Sequence, residues 1–313
     1  VRASTLQNGR TRLRYFVEWC DERGIENLNE LSGRQLADFV SWRREQISAI
    51  TLQKQLSTIR QFLEWCADIE AVETGLREKV HAPELPDGAE SRDIAIDSER
   101  AKSIIEYLDR YQYASRRHVV MSLLWRTGMR RSALRAIDLD DLRPDDHAIV
   151  LNHRPETDTA LKNGEPSERW VYLGPSWYQI VDDYISENRF DVTDEYGREP
   201  LVTTRYGRPT GSTIYDWVNR GTHPCEYGEC PHDRDPTECE ARGSDGSPSL
   251  CPSSLGPHAV RRGNITHLLN EDTTPEIVSE RADVSLEVLY QHYDARSQRE
   301  KMDVRKDHLP DQE

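Results

Sequence analysis

The chain has 313 residues, enough for two domains that each bury a core, and a net charge of −15 from 56 acidic against 41 basic side chains. No run approaches the roughly 18 apolar residues of a membrane span, and the opening VRASTLQNGR is polar and charged. A membrane protein and a secreted or organelle-targeted protein are therefore both unexpected. Such acidity would ordinarily argue against a nucleic-acid partner. Only 6 of the 41 cations are Lys, however, and the other 35 are Arg. Excess carboxylate with almost no Lys is what keeps a surface hydrated in molar salt, where the screening length falls to about 3 Å. Bidentate Arg–phosphate contacts survive that screening. The expectation is a cytoplasmic protein from a halophilic cell, for which acidity does not exclude DNA.

The first eighty residues read as helices. Leu13, Phe16, Val17 and Cys20 fall on one helical face, with Gly24 as a stop. Ser32 and Gln35 form a capping box ahead of Leu36, Phe39 and Val40. A third helix carries Leu52, Leu56, Ile59, Leu63 and Cys66, and Cys20 and Cys66 are expected in the core. The Pro- and Gly-containing stretch 83–97 has no apolar period and reads as a linker between a domain at 1–82 and another at 98–313. Beyond it, Ser98–Tyr111 and Ala114–Trp125 read as helices, and 147–152 and 169–174 as two short strands around a polar turn. Helices resume at Pro175–Asn188 and Gly211–Asn219, and follow again after a Cys- and Gly-rich insertion at 221–256. The fold class is mainly α, with a small antiparallel sheet in the second domain.

Three short motifs there carry chemistry. Thr127-Gly128-Met129-Arg130 places an Arg just past a glycine turn, where backbone N–H groups and a guanidinium can grip an anion. His258 and Arg261 share a helix face at i, i+3. Tyr290, His292 and Tyr293 lie together near the C-terminal end. Singly, each is as well explained by a turn, a surface pair or a core tyrosine.

Taken in order, TGMRRSAL (127–134), Lys162 in LKNGEPSERWVYLG, HAVRRGNITHLL (258–269) and a Tyr about thirty residues further resemble the tyrosine recombinase (phage integrase) family. The N-terminal helices resemble its SAM-like core-binding domain, so the resemblance spans nearly the whole chain. It implies the DNA breaking-rejoining fold and site-specific recombination through a 3′-phosphotyrosyl intermediate, without ATP or a catalytic metal. Arg130 and Arg261 would clamp the phosphate where negative charge gathers, His258 would contact it or take the Tyr proton, and Lys162 would protonate the leaving 5′ oxygen. Tyr293 stands at the family's spacing from Arg261 and is favoured as nucleophile, with Tyr290, in a Tyr-x-His ending, as the alternative. Arg131 and Arg262 are expected to face elsewhere. The partners implied are double-stranded DNA and further copies of the chain, a tetramer on synapsed DNA, with a nucleoid-associated location and the basic-polar C-terminal stretch packing on a neighbouring subunit.

Two positions depart from the pattern: Ala133 stands where the family has Glu, and Asp283-Val284 where it has Gly-His or Gly-Trp. Either His292 supplies the missing donor or the pocket has one fewer. The alternative reading is a catalytically impaired member acting as a DNA-binding regulator of a mobile element. An RNA- or protein-binding adaptor would follow if Arg130 and Arg261 were far apart. A type IB topoisomerase shares the chemistry, but the N-terminal domain looks like a recombinase's.

Cys225, Cys230, Cys239 and Cys251 fall in the insertion with the spacing C-x4-C-x8-C-x11-C, with His223 and His232 nearby. A segment of Gly, Pro, Asp and Ser cannot bury its own core, and a structural zinc ion would explain its order better than disulfides in a cytosolic protein. His232 could replace one Cys, most simply Cys225. Four protein ligands leave no open position for chemistry.

Overall fold

The computed structural model describes residues 3–84, 94–235, 237–242, 246–293 and 302. The chain divides into two compact units, Val1–Asp93 and Ile94–Glu313. No helix among the described residues is long and apolar enough to cross a membrane.

The first unit holds α1 (Ala3–Glu22), α2 (Gly33–Arg44) and α3 (Ala49–Asp68). Gly24, at φ +67°, turns the chain after α1. The Ser32–Gln35 capping box starts α2, and Ser48 caps α3 by accepting from the Thr51 N–H. Phe16, Trp19 and Phe39 fill the core, with Phe39 edge-on to Phe16 at 5.2 Å and to Trp19 at 5.4 Å. Cys20 and Cys66 are buried there, and burial pushes the Cys20 thiol up to about 11, as for a core residue.

The second unit is built around α5 (Arg116–Thr127), packed against α4 (Ser98–Tyr111), α6 (Arg131–Ala136), α7 (Pro175–Glu187), α8 (Gly211–Gly221) and α9 (Pro257–Asn270). Val119 through Trp125 are all buried, so α5 has no solvent face and shows little amphipathic period. The chain then forms an antiparallel sheet, β1 (Leu142–Arg143), β2 (Ala148–Leu151) and β3 (Arg169–Tyr172), in that spatial order with Val150 opposite Trp170. The two-residue β1 was not foreseen, being too short to show alternation. Two short helices, α10 (Pro275–Ala282) and α11 (Leu286–His292), follow α9. They enclose a small separate core of Ile265, Leu269, Val278, Ala282, Leu289 and Tyr293.

One contact fixes the start of α9. The Ile96 N–H donates to the Ala259 carbonyl at 3.1 Å, and Gly263, one turn on, lies under Ile96. A Cβ at Gly263 would stand 2.3 Å from the Ile96 carbonyl oxygen, a backbone atom that cannot swing aside. Gly263→Ala is expected to lower stability by about 1–3 kcal/mol, read as a fall in the denaturant midpoint at unchanged slope. An unchanged midpoint would mean that α9 and the Ile96 segment part without cost.

Candidate active site

Helix α5 ends on Gly128, left-handed at φ +61°, whose N–H returns to the Leu124 carbonyl. That turn delivers Arg130 as the N-cap of α6. Arg261 rises from α9 and is almost wholly buried, at 3% exposure. Its guanidinium donates to the Gly128 carbonyl at 2.7 Å, to the Ala282 carbonyl, and to the Asp283 carbonyl at 3.3 Å. It thus bonds two residues from Arg130. Burial first, then repulsion from Arg130, lowers the Arg261 pKa to about 10. Two guanidiniums held near one another in this way can draw an anion between them. Their proximity removes the observation that would have supported the adaptor reading.

His258 lies in the first turn of α9, one turn before Arg261. The protein around its ring, and then Arg261, Arg262 and Arg130, hold its pKa below the usual histidine value, although the residue keeps contact with solvent. The neutral ring is an acceptor at neutral pH.

Tyr293 closes α11, its N–H donating to the Leu289 carbonyl at 2.9 Å. It is buried at 9% exposure in the small core, close enough to Arg261 for their charges to interact. Arg262 was expected to face elsewhere. Instead its guanidinium lies 5.1 Å from the centre of the Tyr293 ring. The cause is the bend from α9 through α10 to α11, which carries Tyr293 back over α9. Arg131 does point away, toward the Tyr215 ring at 5.9 Å. Tyr290 is half-buried against the same core. The side chain of His292, and the C-terminal stretch apart from Met302, lie outside the described residues.

Lys162 is exposed on the β2–β3 connection. Its loop is tied to the site by its neighbours: Asn163 Nδ2 donates to Asp283 Oδ1 at 3.0 Å and Ser167 Oγ to Asp283 Oδ2 at 2.9 Å. Asp283 also accepts from Arg130 Nη1. The family's Gly-His position therefore holds more than the loss of a donor: a carboxylate, an acceptor, sits within the guanidinium cluster. Arg169, on β3, completes that cluster. It donates to the Arg281 carbonyl at 3.0 Å, and its pKa is lowered chiefly by burial, with Asp283 opposing and Arg130 adding to the shift. Neither Asn163, Ser167 nor Arg169 carries a signal in the sequence, since each is an ordinary loop or strand residue until the sheet is placed against α10.

In the insertion, Cys225, Cys230, Cys239 and Cys251 are free thiols lining one small pocket with His223 and His232. No group of three or more His, Cys, Asp or Glu among the described residues is arranged to hold a metal ion as it stands. His232 Nε2 meets Ser253 Oγ at 3.0 Å, and His223 Nε2 meets the Pro248 carbonyl at 2.8 Å. The insertion leaves and rejoins the unit at one point. Thr222 Oγ1 donates to the Leu255 carbonyl at 3.0 Å, and Arg100 bridges the Thr222 and Ser253 carbonyls. Its last residue, Gly256, is the N-cap of α9.

Residues 1–68 match the family described as Phage integrase, N-terminal SAM-like domain. No curated protein sequence matches the chain. Among solved structures, it is similar to the Tn1549 transposon integrase in complex with transposon right end DNA, at 14% identity over 99% of this chain and 95% of that one, with a TM-score of 0.69. It is also similar to a lambda integrase dimer bound to a COC′ core site, at 13% identity over 95% of this chain and 91% of that one, with a TM-score of 0.64. The architecture is that of the integrases, mainly helical with a small antiparallel sheet. Residues 1–68 thus carry the SAM-like domain of phage integrases, and the fold of the chain as a whole is that of these integrase structures. A shorter similarity, at 37% identity, is to the N-terminal domain of a phage integrase/site-specific recombinase from Haloarcula marismortui, covering 26% of this chain and 81% of that one with a TM-score of 0.26.

Proposed function

We propose that the protein is a site-specific DNA recombinase that cuts and rejoins duplex DNA through a 3′-phosphotyrosyl intermediate, with neither ATP nor a catalytic metal. The observation that carries this reading is the convergence of Arg130, Arg261 and Tyr293: Arg261, 131 residues after Arg130, bonds the turn that carries it, and Tyr293 lies within electrostatic reach of Arg261. Arg130 and Arg261 hold the scissile phosphate and stabilise the charge of the pentacoordinate transition state. Tyr293 Oη attacks phosphorus, and its proton passes to neutral His258. The bond to the 5′ oxygen breaks, and that oxygen takes a proton from Lys162. The phosphotyrosyl ester keeps the energy of the broken linkage, so attack by a 5′ hydroxyl of the partner strand reseals DNA and restores the tyrosine. The active assembly in this reading is a tetramer on two synapsed sites in the cytoplasm.

The test is covalent trapping on nicked duplex DNA in molar KCl, followed by a denaturing gel. An adduct formed by the wild type and lost in Tyr293→Phe supports the reading. DNA binding with no adduct in any variant supports instead a DNA-binding regulator, the reading that the carboxylate of Asp283 inside the Arg cluster favours.

For the insertion, we propose one structural zinc ion held by Cys225, Cys230, Cys239 and Cys251, with His232 as the alternative to Cys225. Four free thiols facing one pocket, in a segment with little core of its own, support it. The ion would draw the thiols together and fix the loop that ends on the N-cap of α9, so it would position His258 and Arg261 without touching the DNA. Elemental analysis of purified protein is expected to give one zinc per chain, reduced several-fold in Cys230→Ser, with a lower melting temperature after chelation. Metal-free protein of unchanged melting temperature would overturn the assignment.

A further inference from the structure

We infer that Asp283 is an internal occupant of the phosphate site, an anion that the scissile phosphate must displace before the Lys162 loop is released to work. The inference rests on the recombinase reading and adds to it a built-in competitor.

Four observations converge on this residue. Its side chain accepts from three donors on two separate elements: Arg130 Nη1 on the α5–α6 turn, and Asn163 Nδ2 and Ser167 Oγ on the β2–β3 connection. Its main-chain carbonyl accepts from Arg261, the second member of the clamp, at 3.3 Å. Its backbone is left-handed at φ +55° and ψ +61°, the conformation of a helix C′ position where glycine is usual. Finally, Arg130, Arg169 and Arg261 all lie within its electrostatic reach.

Three guanidiniums around one carboxylate leave an excess of positive charge. A phosphodiester carries one negative charge, as the carboxylate does, so exchanging them keeps the local charge unchanged. The oxygens of a tetrahedral phosphate can take the guanidinium N–H donors in the carboxylate's place. Exchange also requires little of the backbone. The chain at this corner is pinned by Arg261 on the Ala282 and Asp283 carbonyls, by the Val284 N–H on Ser279 at 3.0 Å, and by Ser279 Oγ on the Val284 carbonyl at 2.6 Å. Rotation about the Asp283 side-chain bonds therefore withdraws the carboxylate while the Arg261 clamp stays in place. Withdrawal removes the two bonds that tie Asn163 and Ser167 to the site, and with them the restraint on the loop that carries Lys162.

The experiment compares inorganic phosphate binding to the full chain by calorimetry at fixed ionic strength for wild type, Asp283→Asn, Asp283→Gly and Arg130→Gln/Asp283→Asn. Asn keeps the shape without the charge, and Gly suits the left-handed backbone if Asn disturbs folding. Both single variants are expected to bind phosphate about tenfold more tightly than wild type, and the double variant to return to the wild-type level. Equal affinity in wild type and both single variants would overturn the inference, as would a gain that survives removal of Arg130. The same variants on nicked duplex separate the two readings. If phosphate binding tightens while no variant gives a Tyr293-dependent adduct, Asp283 is the occupant of an anion site in a protein that is not a recombinase. If adducts form at the wild-type rate with phosphate affinity unchanged, the recombinase stands and the occupant does not.

Discussion

Tyr293→Phe is expected to abolish covalent adduct formation, a loss of about 10³-fold or more, with little change in stability. The two halves of that expectation have different origins. The hydroxyl is the only atom that could carry the phosphoryl group, and phenylalanine removes it without replacement. The ring, by contrast, is the part that packs: it is buried among Ile265, Leu269 and Leu289, with the Arg262 guanidinium 5.1 Å from its centre. Phenylalanine retains that packing, so the melting temperature should stay near the wild-type value, and DNA binding measured in parallel should persist. Tyr290→Phe serves as the control. Tyr290 is on the same short helix and half-buried against the same core, so a merely structural role for either tyrosine would give similar results for both. Adduct loss confined to Tyr290→Phe would keep the recombinase function and move the nucleophile by one turn.

Arg261→Ala should cost both stability and activity. The guanidinium satisfies the carbonyls of Gly128, Ala282 and Asp283, which belong to the α5–α6 turn and the α10–α11 corner. Alanine leaves those acceptors without a donor and opens a cavity in a position that is 3% exposed. Partial relief of repulsion with Arg130 offsets some of the loss, leaving a net destabilisation of about 2–4 kcal/mol, measured by denaturant unfolding at fixed KCl. Adduct formation should fall below detection, because the same side chain is one arm of the proposed phosphate clamp. Arg261→Lys tests the geometry: one ammonium cannot serve three divergent carbonyls and an anion, so lysine should recover less than half of the stability. Unchanged unfolding in Arg261→Ala would show that the corner is held by other contacts.

Much of the molecule was legible before folding. Helix α4 runs over Ser98–Tyr111 as read from its period, and the Ser32–Gln35 box starts α2 because side chain and backbone groups three residues apart must meet there. The strands at 148–151 and 169–172 lie inside the stretches read as strands. Arg130 begins a helix after a glycine turn for a reason also visible locally: only glycine takes that left-handed corner cheaply. Helix α5 was harder, since burial on every side removes the period that marks a half-buried helix, and its start was read two residues early.

The site divides along the same line. The order of the motifs, through their resemblance to the tyrosine recombinases, points to Arg130, His258, Arg261 and, by spacing, Tyr293 as the proposed cations, proton acceptor and nucleophile. Their chain neighbours were misjudged where the answer depended on a bend. Arg262 was set aside by its angle around α9, yet the corner at Asp283 brings Tyr293 over it. Asp283 itself was recognised as a departure, but only as an absence; that it is an anion bound by Arg130, Asn163 and Ser167 depends on the β2–β3 connection lying beside the end of α10. Helix period, caps and glycine turns act within a few residues and are written in the sequence. Contacts between residues more than a hundred positions apart depend on how separate elements pack, and only the tertiary structure decides them.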